Sequence, residues 1–166
     1  MPDNLSQDDS DMTPGLGVGW VIVQGVLIVM FLLSVIWAEP VEDVPGLVFA
    51  RIVGVIVAIA GAAISVWAAV FHGSRLTPFP KPVDGMQVID QGPYRYVRHP
   101  MYSGIIAFTL GVGLAYANPA TMLSSLTFFV FFMAKTGHEE DLLVQLVPGY
   151  RRYRSLVPWR LIPYLV

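Results

Sequence analysis

The sequence predicts an all-α protein: a polytopic membrane helix bundle of about four transmembrane helices followed by a C-terminal interfacial amphipathic helix. Three observations carry this expectation. Of 166 residues, 55% are hydrophobic and only 13% charged, about half the charge of an ordinary soluble domain. Long runs carry no charge at all. The basic residues collect at the ends of those runs, as membrane topology demands. The chain has no cysteine, which excludes disulfides, thiolate metal sites and cysteine nucleophiles. It shows no Walker loop and no strand–GxGxxG–helix fingerprint, and its loops are too short for a Rossmann domain.

Residues 1–14 contain Asp3, Asp8, Asp9 and Asp11 and no basic residue. A signal peptide wants a positive start, so this arm is expected to be a disordered acidic tail. Residues 15–72 should form two transmembrane helices. Gly17 to Trp37 is uncharged and about 32 Å long as a helix, enough to cross a hydrocarbon core. Trp20 and Trp37 lie near its ends, where interfacial aromatics belong. AEPVEDVPG then makes an acidic turn, and Leu47 to Phe71 is the second span, with Arg51 one turn inside and able to snorkel.

Residues 73–166 are read as the catalytic region: a cytosolic loop, a transmembrane hairpin and an interfacial C-terminal segment. Prolines 78, 80, 82 and 93 keep the loop out of helix. Pro100 to Ala134 is a run of 35 uncharged residues broken by Asn118-Pro119, a turn signal. It divides into two short antiparallel helices, about Met101 to Ala117 and Pro119 to Thr136. The tail from His138 is amphipathic and should lie along the interface before an extended end. Four spans bring both termini to one side. Nine of the ten basic residues fall there (Arg75, Lys81, Arg95, Arg98, Lys135, Arg151, Arg152, Arg154 and Arg160), with Arg51 the exception. That side is therefore expected to be cytoplasmic, in a bacterial inner membrane.

Four short stretches can carry chemistry. GPYRYVRHPMYSG, residues 92–104, puts His99 near an N-cap and Pro100 in the first helical turn. Free backbone donors there suit a carboxylate or phosphate; from spacing alone an anchoring collar of Arg and Tyr, which needs no ligand, is the favoured reading. Gly111-Val112-Gly113 permits close approach of a ligand or of another helix. His138-Glu139-Glu140-Asp141 can bind a cation, or simply form the solvated first turn of the tail helix. Its spacing does not favour a metal. Tyr150 and Tyr153 share a helical face beside Arg151, Arg152 and Arg154, which suit lipid phosphates.

Taken in order, GPYRYVRHPMYSG, GVG, EE and YRRYRSLVPWRLIP resemble the isoprenylcysteine carboxyl methyltransferase family and the related membrane phospholipid N-methyltransferases, over about residues 50–163. The resemblance implies packed transmembrane helices and S-adenosylmethionine bound near the cytosolic face. It assigns the cofactor to His99, Pro100, Tyr102, Gly104, Gly111, Gly113, His138, Glu139 and Glu140. Catalytic roles fall to Arg98, Tyr102 and Glu140, and the acceptor to Tyr150 and Tyr153. The expected partners are membrane lipids and a lipophilic acceptor, with neither nucleic acid nor metal. The family's Gly-x-x-Tyr becomes Val147-Pro148-Gly149-Tyr150 here, a departure that bears on acceptor specificity. Two alternatives are an NADPH-dependent sterol-type reductase and a non-catalytic membrane scaffold. The reductases have Asn where this chain has Met101 and Trp where it has Tyr150.

Overall fold

The computed structural model describes residues 14–37, 39, 41–42, 45–73, 77–79 and 85–165. The acidic tail, Arg75, Lys81 and prolines 80 and 82 lie outside the described residues. Among the described residues five α-helices follow one another: α1 Pro14–Trp37, α2 Leu47–His72, α3 Pro100–Tyr116, α4 Pro119–Leu146 and α5 Tyr150–Leu156. A 3₁₀ turn, Gly92–Arg95, precedes α3. Among the described residues there is no strand. Helices α1, α2 and α4 are long and apolar enough to cross a membrane, and α3 is a shorter apolar helix of 17 residues. Their outward faces expose Ile22, Val29, Ile52, Ile59, Val66 and Val130, the surface that lipid would cover. The chain is an integral membrane protein.

Local chemistry sets the boundaries. Asn118 caps α4, its side-chain oxygen accepting from the amides of Ala120 and Thr121, and Pro119 occupies the first turn without loss of a bond. Ala117 closes α3 in the left-handed region, φ 50°. The turn expected at Asn118-Pro119 is therefore real. The expected end of the following helix is not. Helix α4 continues through Thr136 and the His-Glu-Glu-Asp stretch to Leu146, 28 residues in all. It is thus longer than a short hairpin arm, and the acids are not the first turn of a new helix. The tail helix shrinks to the seven residues of α5.

Packing is uneven. Helices α2 and α3 touch along their length through small residues. A methyl group added at Gly54, Gly61, Gly104 or Gly111 would fall within 3 Å of the facing helix. A second seam joins α1, α3, α4 and the C-terminal segment through Phe31, Ile106, Phe128, Phe131, Phe132 and Leu161. The far end is tied by Thr121, whose hydroxyl donates to Ser34 O at 3.2 Å, and by Val41 N, which donates to Ala117 O. Arg51 reaches Val41 O there at 3.1 Å. At the opposite end Val147, Tyr150, Tyr153 and Val157 close over Met86 and Val88. The C-terminal segment then crosses the start of α3: Arg98 N donates to Trp159 O and His99 N to Arg160 O.

Candidate active site

The end of the bundle where α2 and α4 finish and α3 begins encloses a cavity of about 410 Å³, within the range of small-molecule sites. Its polar walls include Gln24, Arg98, His99, Tyr102, Lys135, Glu139 and Tyr150. Its apolar walls include Phe79, Met86, Val88, Ile105, Leu143 and Val147. Four chain segments far apart in sequence are needed to make it.

Helical periodicity decides what faces in. Lys135, Glu139 and Leu143 are spaced by four and line the cavity from α4. Glu139 Oε1 accepts a 2.7 Å hydrogen bond from Tyr102, and its Oε2 lies 3.7 Å from His99 Nδ1. His99 stacks on Tyr102 at 5.8 Å, and Tyr102 on Phe132 at 4.5 Å. The Tyr102 phenol is thereby fixed in direction.

Glu140 looks the other way and is 1% exposed. Arg98 donates to it through Nε at 2.7 Å and Nη2 at 3.2 Å. His99 Nε2 lies 3.2 Å from it, and Arg160 and Arg154 stand at 3.5 and 3.7 Å. Arg98 spends its Nη1 hydrogens on Val157 O and Pro158 O, at 2.8 and 2.6 Å. This bidentate pair locks the C-terminal segment across α3 and offers four of its five donors to the protein itself.

Two aromatic side chains complete the wall. Tyr153 donates to Tyr94 O at 2.7 Å, and the Tyr94 hydroxyl lies 3.0 Å from His72 Nδ1. Burial pushes the Tyr94 phenol up to about 12 and raises Tyr150 and Tyr153 as well, so all three are neutral donors at ordinary pH. The Tyr150 hydroxyl is buried and has no hydrogen-bond partner among the described residues. Such an orphan costs stability unless a ligand meets it.

The structure brings Arg98, His99, Tyr102, Glu139, Tyr150 and Tyr153 together around one cavity and leaves the other expected residues outside it. Gly104 and Gly111 lie against α2, and Gly113 lies 3.0 Å (by its added methyl) from Ser125 of α4. These glycines serve helix packing, because only a missing side chain lets the backbones come that close. Pro100 is buried at the start of α3. His138 stacks on Trp20 at 5.9 Å, so it ties α1 to α4. The backbone N–H groups of Arg98 and His99, just before the helix, donate to the C-terminal segment. Lys135 and Gln24 are not singled out in the sequence reading; a lone amide and a lone ammonium in apolar helices are the signal by which they are to be found.

Fold and site together define a class: a small polytopic α-helical membrane protein with a polar chamber at one end of its bundle. The sequence profile of the phospholipid methyltransferase family matches residues 49–147, more than half of the chain, and the chain belongs to that family. It is 37% identical over 73 residues to protein-S-isoprenylcysteine O-methyltransferase of Schizosaccharomyces pombe, covering 43% of this chain and 31% of that protein. It is 32% identical over 100 residues to a probable protein-S-isoprenylcysteine O-methyltransferase of Oryza sativa subsp. indica, covering 58% and 52%. The solved structure of the eukaryotic intramembrane Ras methyltransferase ICMT shares the fold, with a TM-score of 0.64 and 21% identity over 89% of this chain and 53% of that one. The chain spans about one third to one half of the length of these relatives.

Proposed function

We propose that the protein is a membrane methyltransferase that takes its methyl group from S-adenosylmethionine and gives it to a lipophilic acceptor. The observation that carries this reading is the chamber, which joins a carboxylate, a histidine and an unpartnered buried hydroxyl to an apolar wall. These residues fit such a donor. When bound, S-adenosylmethionine supplies an electrophilic methyl on a sulfonium.

Glu139 presents a carboxylate, oriented by Tyr102, to the cofactor's ammonium. His99 lines the same wall and completes the polar end. Tyr102 is already engaged by His99, Phe132 and Lys135, which leaves the Tyr150 ring to face a sulfonium and its hydroxyl to donate to a ligand oxygen. Arg98 and Glu140 act as positioning residues: they hold His99 and the C-terminal segment in place, and proximity is what an in-line transfer needs. Leu143, Val147 and Ile105 keep water from the reacting end. Arg95, Arg151, Arg152, Arg154 and Arg160 cluster at this end of the sequence topology, which supports a mouth on the cytoplasmic side.

Calorimetric titration of the detergent-purified protein with S-adenosylhomocysteine tests the proposal, with NADPH as control. Micromolar binding of S-adenosylhomocysteine alone is expected. Binding of NADPH alone would move the protein to the reductases, and binding of neither would leave a scaffold.

A further inference from the structure

Lys135 is a lysine with 0% exposure, set in the apolar helix α4 and lining the cavity. An ammonium in such a place is expensive and needs partners. It has two close ones: Gln24 Oε1 at 2.7 Å and Pro78 O at 3.1 Å. Its third N–H has no acceptor within hydrogen-bond distance among the described residues. Glu139 Oε1 stands 3.9 Å away and is already bonded to Tyr102. Glu139 therefore balances the charge without using up the donor. The Tyr102 and Phe131 rings, 5.3 and 6.0 Å from Nζ, complete the surroundings.

Gln24 has the complementary feature. Its oxygen accepts from Lys135, and its amide nitrogen has no hydrogen bond among the described residues. Gln24 and Ser34 are the only hydrogen-bonding polar side chains, tryptophans aside, between Gly17 and Trp37. Two cavity-lining groups thus each keep one free donor, side by side, and one of them is cationic. Two parallel donors of this kind match the two oxygens of a carboxylate.

Resting on the reading of the chamber as a methyl-transfer site, we propose that Lys135 and Gln24 form a carboxylate anchor. The carboxylate can belong to the acceptor or to the amino-acid end of the donor. An acceptor acid would be favoured over an amine, which Lys135 repels. Helix α1 then contributes to ligand selection as well as to packing.

The test is binding by calorimetry, with four probes: farnesoic acid, its methyl ester, farnesylamine and S-adenosylhomocysteine. Wild type, Lys135→Met, Lys135→Arg and Gln24→Leu are compared. If the anchor takes the acceptor, the wild type binds the acid at least about tenfold tighter than ester or amine, a difference of about 1.4 kcal/mol. Lys135→Met then removes that preference and leaves S-adenosylhomocysteine binding within about threefold. If it takes the donor's carboxylate, Lys135→Met weakens S-adenosylhomocysteine and leaves the acid unaffected. In both cases Lys135→Arg retains most of the affinity, and Gln24→Leu shows a smaller loss at the same ligand. Unchanged affinity for every probe in Lys135→Met overturns the anchor. So does equal weakening of all probes in Lys135→Met and Lys135→Arg together with a lowered melting temperature, which marks a purely structural lysine. Should Lys135→Met not fold, the wild-type preference and Gln24→Leu decide. Failure of S-adenosylhomocysteine to bind the wild type would sink the methyltransferase reading, whereas the acid-over-ester preference is read separately.

Discussion

Glu139 and Glu140 are neighbours in the chain and stand in opposite surroundings. The cavity face of α4 carries Glu139 with Lys135, Tyr102 and space beyond. The face toward the tail carries Glu140, sealed among Arg98, His99, Arg154 and Arg160. A helix turns by about 100° per residue, so two adjacent acids can divide the work. One is left able to meet a ligand. The other is spent on holding the C-terminal segment over α3. The difference teaches that a motif of two identical residues need not be one site.

The strongest way to break the comparison is Glu140→Ala. It strands the buried Arg98 guanidinium, and breaking a buried pair from one side costs about 3–5 kcal/mol. Thermal unfolding in detergent should show a large drop, with much of it recovered in the Arg98→Ala/Glu140→Ala double variant. Next in size is Gly111→Ala, which forces a methyl against α2 and should cost about 1–3 kcal/mol of stability. S-adenosylhomocysteine affinity should be nearly unchanged; a selective loss of affinity at full stability would return Gly111 to the binding site. Glu139→Gln sharpens the other half. It should fold nearly normally and bind S-adenosylhomocysteine about tenfold more weakly or worse, since a charge-assisted bond is lost. A Glu139→Gln protein that binds as the wild type does would remove the acid from the proposed site. The smallest effect belongs to Tyr150→Phe. Deleting an unpartnered buried hydroxyl should leave the melting temperature the same or slightly higher, while ligand affinity falls a few-fold.

Part of the cavity wall was legible in the sequence because its pieces are local. Arg98, His99 and Tyr102 lie at the entrance to an apolar run, and Glu139 follows at the end of the next. Proline at 100 and Asn118-Pro119 marked helix starts that the structure contains. The continuation of α4 through His138–Asp141 was not legible. Charged residues after an apolar run ordinarily mean that the chain has left the bilayer. Here Glu139 and Glu140 find partners 37 to 42 positions away, and paired charges stay inside a helix bundle at tolerable cost. The role of Gly111 was equally hidden, since the same residue suits a ligand and a neighbouring helix.

The sequence by itself determined that this is a membrane-spanning helical protein and where α2, α3 and α4 start, because hydrophobic length, proline and capping act over a few residues. It also determined which family motifs are present and in what order. Only the tertiary structure decided which of two adjacent glutamates faces the cavity, that Lys135 meets Gln24 from 111 positions away, and that the Tyr150 hydroxyl is left without a partner. Those outcomes depend on how helices are rotated and pressed against one another, and rotation is set by the packing of α2 on α3 and of the C-terminal segment on both α3 and α4, contacts that no local stretch of sequence contains.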